Sequence, residues 1–341
     1  CKCVKIRLDV GLADGTRRQF VSDGSWLWAE SPIVAAGIYA GETYDARREQ
    51  PGWDEPGFAA VDWQPVQVVP GPKGRLTPAV APPLRVIEHH RPVAVTEPQP
   101  GVFVFDFGQN AAGWCQLRAQ GPAGTTIRLR HSELLGKDGM IDPWTNRQAA
   151  ALDSYTLAGT GPEIYEPRFT YHGFRYVEMR GHPGTPTTDS LTACVVHAAV
   201  EPTGAVRFDD PFLDRLQSNF VWSIRGNLVS IPTDCAARDE RTPCEMDSAV
   251  VEDAAIRNFD MHDYYVQWLR NIAGGGGNPD WSGDHGMLLW RLYWNYGDKR
   301  LLAEQYDSLK GYVDRLATAA PDRVWRDGFG DWCPPNDGTW Q

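Results

Sequence analysis

Two features common in nucleic-acid-binding and membrane proteins are missing from this 341-residue sequence: clusters of basic residues and long apolar runs. The net charge is −11, and no apolar run is long enough to cross a membrane. The first residues, CKCVKIRLDV, do not form a signal peptide. We therefore expect no nucleic-acid partner and no membrane partner, and we expect a cytoplasmic protein.

Several motifs of catalysis and cofactor binding are also missing. The sequence contains no Gly-x-Ser-x-Gly, no P-loop and no dinucleotide fingerprint. His262 and His285 are the histidines nearest to the main group of acids, and neither has ligand spacing to them. No glycine occupies the position that an EF-hand loop needs. We expect no cofactor and no metal ion. The seven cysteines, an odd number, favour free thiols in a reducing compartment.

Short alternating or β-branched runs, separated by Gly, Pro and Asp, make up the first 205 residues. The runs VKIRLDV, GVFVFDF, TTIRLRHSE, YVEMRG and LTACVVHAAV are typical of strands. Helical periodicity is nearly absent there, as in β-sandwiches. A proline-rich stretch at 68–86 indicates a seam, so we expect two β-sandwich domains, 1–80 and 81–205. His172, just before one predicted strand, is expected to make a hydrogen bond within the sheet.

The hydrophobic period changes to that of helices after residue 208. Asp210-Pro211 predicts an N-cap followed by proline at the first helical position. The segment TPCE at 242–245 is a capping box, which predicts another helix start with proline first. We expect about five helices in residues 206–341, forming part of a larger all-helical assembly.

Residues 233–247, TDCAARDERTPCEMD, contain five carboxylates beside apolar sequence: Asp234, Asp239, Glu240, Glu245 and Asp247. The capping box places Asp239 and Glu240 in the loop before a helix, and Asp247 a little over one turn inside it. Carboxylates that converge on one pocket raise one another's pKa, which can keep one protonated as a general acid. From spacing alone, a capping and salt-bridge network at a domain junction explains these acids equally well.

Five tryptophans of the helical part divide into two groups. Trp268, Trp290 and Trp294 fall at helical positions and are expected in the core. Trp281 in DWSGD and Trp332 in GDWCPP lie in Gly/Asp-rich turns. An exposed tryptophan in such a turn can stack on a sugar ring, although packing into the core is the simpler interpretation of its position.

Several long sequence blocks run in order along nearly the whole chain. They begin with SDGSWLWAESPI and IYAGETYDARREQPGWDEPGFAAVDW, continue through VFDFGQNAAGWCQLRAQGPAGTTIRLRHSE, LDSYTLAGTG and YEPRFTYHGFRYVEMRG, and end in DCAARDER, AAIRNFD, LYWNYGD and FGDW. These blocks resemble those of the bacterial α-L-rhamnosidases of glycoside hydrolase family 78. The resemblance implies two β-sandwich domains followed by an (α/α)6 toroid. Residues 206–341 would form the N-terminal part of that catalytic domain, and its C-terminal half is absent, so we expect a fragment or a truncated product.

The resemblance also implies an activity, the hydrolysis of terminal α-L-rhamnose with inversion by a general acid and a general base. Glu240 matches the position of the general acid. The residues implied to bind the sugar are Asp234, Arg238, Asp239, Asp247, Trp281 and Trp332. Among them Asp239 would support the acid cluster, and the two tryptophans would line the sugar subsite. The implied substrate is a rhamnose-containing glycoside or oligosaccharide.

Two departures from the family pattern leave alternatives open. Cys244 stands where the family carries a tryptophan that faces the sugar, which favours a related glycosidase for a different sugar. The family's general base lies later in the toroid and no residue here matches it, which favours a non-catalytic or incomplete carbohydrate-binding fragment. Helices without their neighbours would expose apolar faces, so we expect a homodimer or a completing chain. Cys244 has no clear base beside it and is not expected to be a nucleophile.

Overall fold

A computed structural model describes residues 3–71, 73–74, 76–243, 245–274, 276 and 279–326. A mostly-sheet region is followed by a helical region, as the change of hydrophobic period predicts. In the proline-rich stretch at 68–86, the described residues up to 83 form neither helix nor strand.

Eighteen strands lie within the described residues. They are β1 Arg7–Gly11, β2 Arg17–Val21, β3 Leu27–Trp28, β4 Ile33–Gly37, β5 Gly41–Asp45, β6 Gln64–Pro65, β7 Leu84–His90, β8 Ala94–Gln99, β9 Val102–Ala119, β10 Thr126–Ser132, β11 Leu134–Leu135, β12 Ile141–Asp142, β13 Leu152–Thr156, β14 Glu163–Tyr165, β15 His172–Arg180, β16 Leu191–Ala198, β17 Leu228–Val229 and β18 Ile231–Pro232. The five runs predicted as strands from the sequence overlap β1, β9, β10, β15 and β16, so those predictions are confirmed.

Ten of these strands form one large sheet. Its main path runs β4-β5-β13-β10-β15-β9-β16-β7, and β8 and β14 also pair with β9. The long strand β9 therefore organises the sheet, because four other strands pair with it. Strands β4 and β5, from the first 80 residues, join the sheet through a parallel pairing of β5 with β13.

The sheet buries its core through the alternation of its strands. In β13 every second residue is buried, including Tyr155, so one face of that strand packs inward. Strand β9 begins with a continuous buried run, Val102–Phe105, as expected where both faces of a strand are covered. Phe105, Leu117 and Met179 are among the fully buried side chains of this core.

Six helices follow the sheet region within the described residues. They are α1 Pro211–Gly226, α2 Glu245–Asn258, α3 His262–Ile272, α4 Pro279–Ser282, α5 Asp284–Tyr296 and α6 Lys299–Ala319. Asp210 caps α1 by accepting a hydrogen bond from the backbone N–H of Phe212 at 2.8 Å, with Pro211 at the first position, so this prediction is confirmed. Pro243, the predicted first residue of α2, is not helical, and the helix runs through the described residues from Glu245. Cys244 lies outside the described residues.

A second core lies between the helices. Tyr264 and Tyr265 of α3 pack there with Leu288 and Leu292 of α5, all of them fully buried. Ala198 at the end of β16 and Val200 just after it belong to the same cluster. The helical core is therefore continuous with the last strand of the large sheet.

The tryptophans of α5 depart from the sequence prediction. Trp268 of α3 is buried, as predicted, but Trp290 and Trp294 are 57% and 75% exposed, so their predicted place in the core is wrong. Helix α5 buries the face that carries Leu288 and Leu292, and positions two residues further on point about 200° away. The two indole rings stack on each other on the outer face, with their centroids 6.2 Å apart.

Other exposed apolar side chains lie on α1. Leu213, Leu216 and Phe220 are exposed, which agrees with the expectation that apolar faces of these helices lack full cover. In the part of the chain that the structure describes, no helix has both the length and the apolarity needed to span a membrane. Cys115, Cys194 and Cys235 carry free thiols, as predicted for these three.

Candidate active site

The loop between β18 and α2 carries the predicted acids and is closed on itself. Oδ1 of Asp234 accepts a hydrogen bond from the backbone N–H of Thr242 at 2.9 Å. The backbone N–H of Asp234 in turn donates to the carbonyl of Thr242 at 3.3 Å. The carboxylate of Asp234 thus joins the two ends of a nine-residue segment, residues 234–242, and we call this segment the acidic loop.

A buried arginine attaches the acidic loop to the sheet region. Arg241 is 5% exposed, and its guanidinium donates to the carbonyls of Ile38 and Tyr171 in the sheet region. It also donates to the carbonyls of Ala237 and Arg238 in its own loop. Burial lowers the pKa of Arg241, because its charge has been moved out of water. The forked donors suit this role, since one guanidinium can satisfy several carbonyls at once.

A glycine lets the acidic loop approach the sheet closely. A Cβ atom on Gly173 of β15 would lie 2.8 Å from the carbonyl carbon of Ala236 and 2.8 Å from the backbone nitrogen of Ala237. Both of these are backbone atoms and cannot rotate away. Only glycine fits at this point of contact without a shift of the loop.

The centre of the site is an ion-pair cluster around Glu240. Arg238 joins two acids, with Nη2 3.2 Å from Oδ2 of Asp234 and Nε 2.5 Å from Oε2 of Glu240. Arg147, from the sheet region, places Nη1 3.2 Å from the same Oε2 atom. The hydroxyl of Tyr39 donates to the backbone carbonyl of Glu240. Glu240, whose side chain is 38% exposed, is therefore held by two residues from distant parts of the chain and by Arg238 of its own loop.

The other predicted site residues lie at different distances from this cluster. Asp239 is in the acidic loop, and among the described residues its buried Oδ1 has no hydrogen-bond partner. Asp247 is exposed in the first turn of α2, so the prediction that it lies deeper in the helix is wrong because α2 begins later than predicted. Trp281 is half-buried on the four-residue helix α4 rather than in a turn. Trp332 lies outside the described residues.

A second group of acids lies among the helices, with Glu252 and Asp284 buried and Glu245, from the predicted acidic stretch, partly buried. Glu252 of α2 forms an ion pair with Arg291 of α5, with Oε2 2.6 Å from Nη1. Burial and the neighbouring carboxylate of Asp284 raise the pKa of Glu252. Burial, together with Asp284, also raises the pKa of Glu245 to about 7. These carboxyls hold their protons at higher pH than ordinary acids because the helical core excludes water.

Among the residues that the structure describes, two groups of side chains have donor atoms close enough to share a metal ion. They are His131 with Asp153 and His172, and Asp234 with Cys235 and Glu240, with the donor atoms of each group within 4.8 Å of one another. In the second group the Arg238 guanidinium already forms ion pairs with both carboxylates, which opposes a cation. In the first group, Nε2 of His172 is hydrogen-bonded to Asp153 at 3.1 Å, which confirms the hydrogen bond predicted for His172. Burial and the neighbouring His172 lower the pKa of His131 to about 3, so it is neutral.

Sequence reasoning missed the residues that the sheet region contributes. Tyr39 is 201 positions from Glu240 along the chain and Arg147 is 93 positions away, so no local spacing links either to the acidic loop. Arg147 has one local sign, a backbone φ of +52°, but this appears only in the folded structure. Alternation and capping signals concern neighbours along the chain and carry no information about such contacts.

Comparison with known proteins covers almost the entire chain. Residues 2–88 match the family described as the alpha-L-rhamnosidase N-terminal domain, and residues 96–197 match the bacterial alpha-L-rhamnosidase concanavalin-like domain. Residues 201–341 match the bacterial alpha-L-rhamnosidase 6 hairpin glycosidase domain. The three matched segments follow one another with only short gaps.

Individual relatives agree with these matches. An alpha-L-rhamnosidase of Streptomyces avermitilis is 40% identical and is aligned with 98% of this chain and 34% of its own length. A crystal structure of a Streptomyces avermitilis alpha-L-rhamnosidase complexed with L-rhamnose superposes with a TM-score of 0.89 at 39% identity, over 98% of this chain and 34% of that one. The structure of alpha-L-rhamnosidase from Dictyoglumus thermophilum gives a TM-score of 0.93 at 38% identity, over 97% of this chain and 40% of that one. The chain thus spans about a third of the length of the curated relative.

Proposed function

Since the chain belongs to the bacterial α-L-rhamnosidases, we propose that it hydrolyses terminal α-L-rhamnosyl residues of a glycoside or oligosaccharide with inversion. The observation that supports this most directly is the cluster in which Arg238 joins Asp234 to Glu240. This cluster brings a partly exposed carboxyl, hydroxyl-binding groups and a loop anchored to the sheet into one place.

In the proposed reaction Glu240 is the general acid. Its proton passes to the glycosidic oxygen as the bond from that oxygen to the anomeric carbon breaks. A water molecule attacks the anomeric carbon from the opposite face, and a general base accepts its proton. The products are the free alcohol and rhamnose in the β configuration. We assign the base to no residue of this chain.

The mechanism requires the carboxyl of Glu240 to leave its ion pairs with Arg147 and Arg238. An acid must turn from its guanidinium partners to the glycosidic oxygen before it can deliver a proton. Arg238 is 39% exposed and Arg147 is 58% exposed, so both side chains have room to move. We propose that sugar hydroxyls take over part of the hydrogen bonding of Arg238 and so release Glu240.

The surrounding residues are proposed to bind the sugar. The carboxylate of Asp234 can accept hydrogen bonds from rhamnose hydroxyls beside Glu240, and the guanidinium of Arg238 can donate hydrogen bonds to them. The buried Oδ1 of Asp239 lacks a partner among the described residues and is available to accept a hydrogen bond from a further hydroxyl. Asp247, Trp281 and Trp332 complete the proposed subsite by family resemblance alone.

The family also suggests an architecture for the chain. We propose two β-sandwich domains, residues 1–80 and 81–205, in which β4 and β5 of the first extend the sheet of the second. Part of an (α/α)6 toroid in residues 206–341 follows them. The exposed side chains of Trp290 and Trp294 on α5 support the proposal that a homodimer contact or a completing chain covers the helices.

The first test is the release of rhamnose from an aryl α-L-rhamnoside by the 341-residue chain and by Glu240→Gln. In the complete enzyme, we expect Glu240→Gln to lower kcat on a glycoside with a poor leaving group by about 10²- to 10⁴-fold while sugar binding survives. Glu30→Gln, whose side chain is 81% exposed, is the matched control and should behave as wild type. Proton NMR of the first product should show the β anomer.

Two results would change the proposal. Equal turnover by Glu240→Gln and wild type would exclude Glu240 as the acid. Rhamnose binding without any release of product would favour the second candidate, a carbohydrate-binding role, for which a carboxylate already engaged by two arginines is well suited.

A further inference from the structure

A large cavity adjoins the cluster around Glu240. Its volume is about 920 Å³, within the range of small-molecule sites. The sheet region lines one side with Asn110, Glu133 and Trp144, and the helical region lines the other with Trp222. We call this cavity the junction cavity.

Two arginines connect the junction cavity to the proposed acid. Arg147 and Arg238 both line the cavity, and they are the two residues that form ion pairs with Oε2 of Glu240. A ligand in the cavity would therefore lie one side chain away from the carboxyl of Glu240. A glycosidic oxygen held at Glu240 joins two groups, the cleaved sugar and the leaving group, and the leaving group needs a place beside the acid.

Trp144 forms an aromatic part of the cavity wall, and a short capped helix fixes its backbone. Trp144 is 79% exposed and lies in the short 3-10 helix Pro143–Asn146. Asp142 caps this helix by accepting from the backbone N–H of Trp144 at 3.0 Å, which fixes the backbone beneath the indole. One exposed tryptophan is not unusual by itself. Here its indole lines a cavity whose walls also carry the polar side chains of Asn110, Glu133 and Arg147. An aromatic surface beside polar groups suits a ring with an apolar face and hydroxyl edges.

The polar side chains of the cavity wall are held in place before a ligand binds. The side-chain amide of Asn110 donates to Oε1 of Glu133 at 2.9 Å, so both residues have acceptor atoms to spare for a ligand. Arg147 holds a left-handed backbone, with φ of +52°, at the end of the helix that carries Trp144. A non-glycine residue adopts that conformation at a cost, and such strain is often found where a side chain must be aimed.

We propose that the junction cavity binds the sugar ring to which the cleaved rhamnose is attached, with Trp144 as the stacking surface. This proposal rests on the proposed function, because it needs the glycosidic bond at Glu240. A hydroxylated ring would satisfy Asn110, Glu133 and Arg147, whereas a purely aromatic group would bury them without partners. The cavity would therefore select glycosides whose leaving group is a sugar.

The test compares affinities by calorimetry in the Glu240→Gln chain, where turnover is suppressed. The probes are L-rhamnose, an α-L-rhamnosyl-glucose disaccharide and 4-nitrophenyl α-L-rhamnoside. We expect the disaccharide to bind at least about tenfold more tightly than rhamnose, the equivalent of one stacked ring. Trp144→Ala, introduced into the Glu240→Gln chain, should remove most of the tighter binding of the disaccharide. It should weaken rhamnose binding less than threefold. Trp294→Ala, an equally exposed tryptophan on α5, is the control and should leave all three affinities as they were.

The outcomes separate this proposal from the proposed function. Equal affinities for rhamnose and the disaccharide, or equal losses for both on Trp144→Ala, would overturn the leaving-group site while the rhamnosidase proposal survives. The nitrophenyl glycoside binding as tightly as the disaccharide would overturn the choice of a sugar. Disaccharide binding that depends on Trp144 without any rhamnose binding would support the cavity and contradict the rhamnose subsite. No binding of any probe would overturn both proposals.

Discussion

Nη1 of Arg147 lies 3.2 Å from Oε2 of Glu240, so a side chain of the sheet region reaches the proposed acid of the helical region. The two residues are 93 positions apart in the chain. The contact joins Arg147, which has a backbone φ of +52°, to the acidic loop. The direction of the Glu240 carboxyl therefore depends on how the two regions pack, and not on the acidic loop alone.

Replacing Arg147 should affect catalysis more than stability. We expect Arg147→Ala to lower kcat/KM on an aryl α-L-rhamnoside by about tenfold, because a misdirected acid loses its alignment with the glycosidic oxygen. The free energy of unfolding should fall by less than about 1 kcal/mol, since the ion pair is largely exposed. Steady-state kinetics and urea unfolding measure the two quantities. Arg91→Ala removes an exposed ion pair with Asp189 and should change neither. If kcat/KM is the same in all three proteins, Arg147 does not position Glu240.

Gly173→Ala should displace the acidic loop. The new Cβ would lie 2.8 Å from backbone atoms of Ala236 and Ala237, and the overlap can be relieved only by moving backbone. We expect a loss of about 1–3 kcal/mol in the free energy of unfolding, as for overpacked cores, together with weaker sugar binding. Gly204→Ala, where the Cβ would meet open space, provides the comparison in both urea unfolding and calorimetry. Wild-type stability of Gly173→Ala would show that the loop can yield at this contact.

Arg241→Lys should destabilise the protein even though it keeps the charge. The guanidinium donates to four carbonyls, two in the sheet region and two in the acidic loop. A single ammonium group cannot reproduce that fork, so buried carbonyls lose their donors. The expected loss is about 1–3 kcal/mol. The same change at Arg300, whose side chain is 92% exposed, should be neutral. Equal unfolding midpoints for the two variants would contradict the anchoring role of Arg241.

The raised pKa of Glu245 predicts a stability effect with a definite sign. The folded protein holds this proton up to about pH 7, whereas an ordinary glutamate in the unfolded chain releases it near pH 4.5. Between these values the folded state binds more protons than the unfolded state, so the contribution of Glu245 to stability falls as pH rises. Glu245→Gln removes this penalty and should raise the melting temperature at pH 8 relative to wild type. At pH 4.5 the two melting temperatures should converge.

Glu304 is the control for Glu245, because its pKa is shifted in the opposite direction. Its hydrogen bond with Arg270 lowers the pKa of Glu304, so its stabilising effect is present above the unfolded value and is lost as pH falls. Glu304→Gln should therefore lower the melting temperature at pH 8 and have little effect at low pH. Melting curves of the two variants that move in the same direction with pH would contradict the assignment for Glu245.

Hydrophobic period and capping residues predicted the secondary-structure elements well. The change from strands to helices, the cap at Asp210 and the placement of Glu240 in a loop before a helix all follow from residues that are near one another in the chain. The faces of the helices were harder to predict. Trp290 and Trp294 have helical spacing, but the choice between inner and outer face depends on which residues the neighbouring helices bury.

The sequence by itself determined where the acids lie along the chain and which kinds of secondary structure surround them, because hydrophobic period and capping are properties of neighbouring residues. Only the tertiary structure decided which groups touch Glu240. Arg147, Tyr39 and the contacts of Arg241 come from the sheet region, across as many as 203 positions of sequence. Such contacts depend on strand order and on the packing of the loop against β15, and neither is encoded in local spacing.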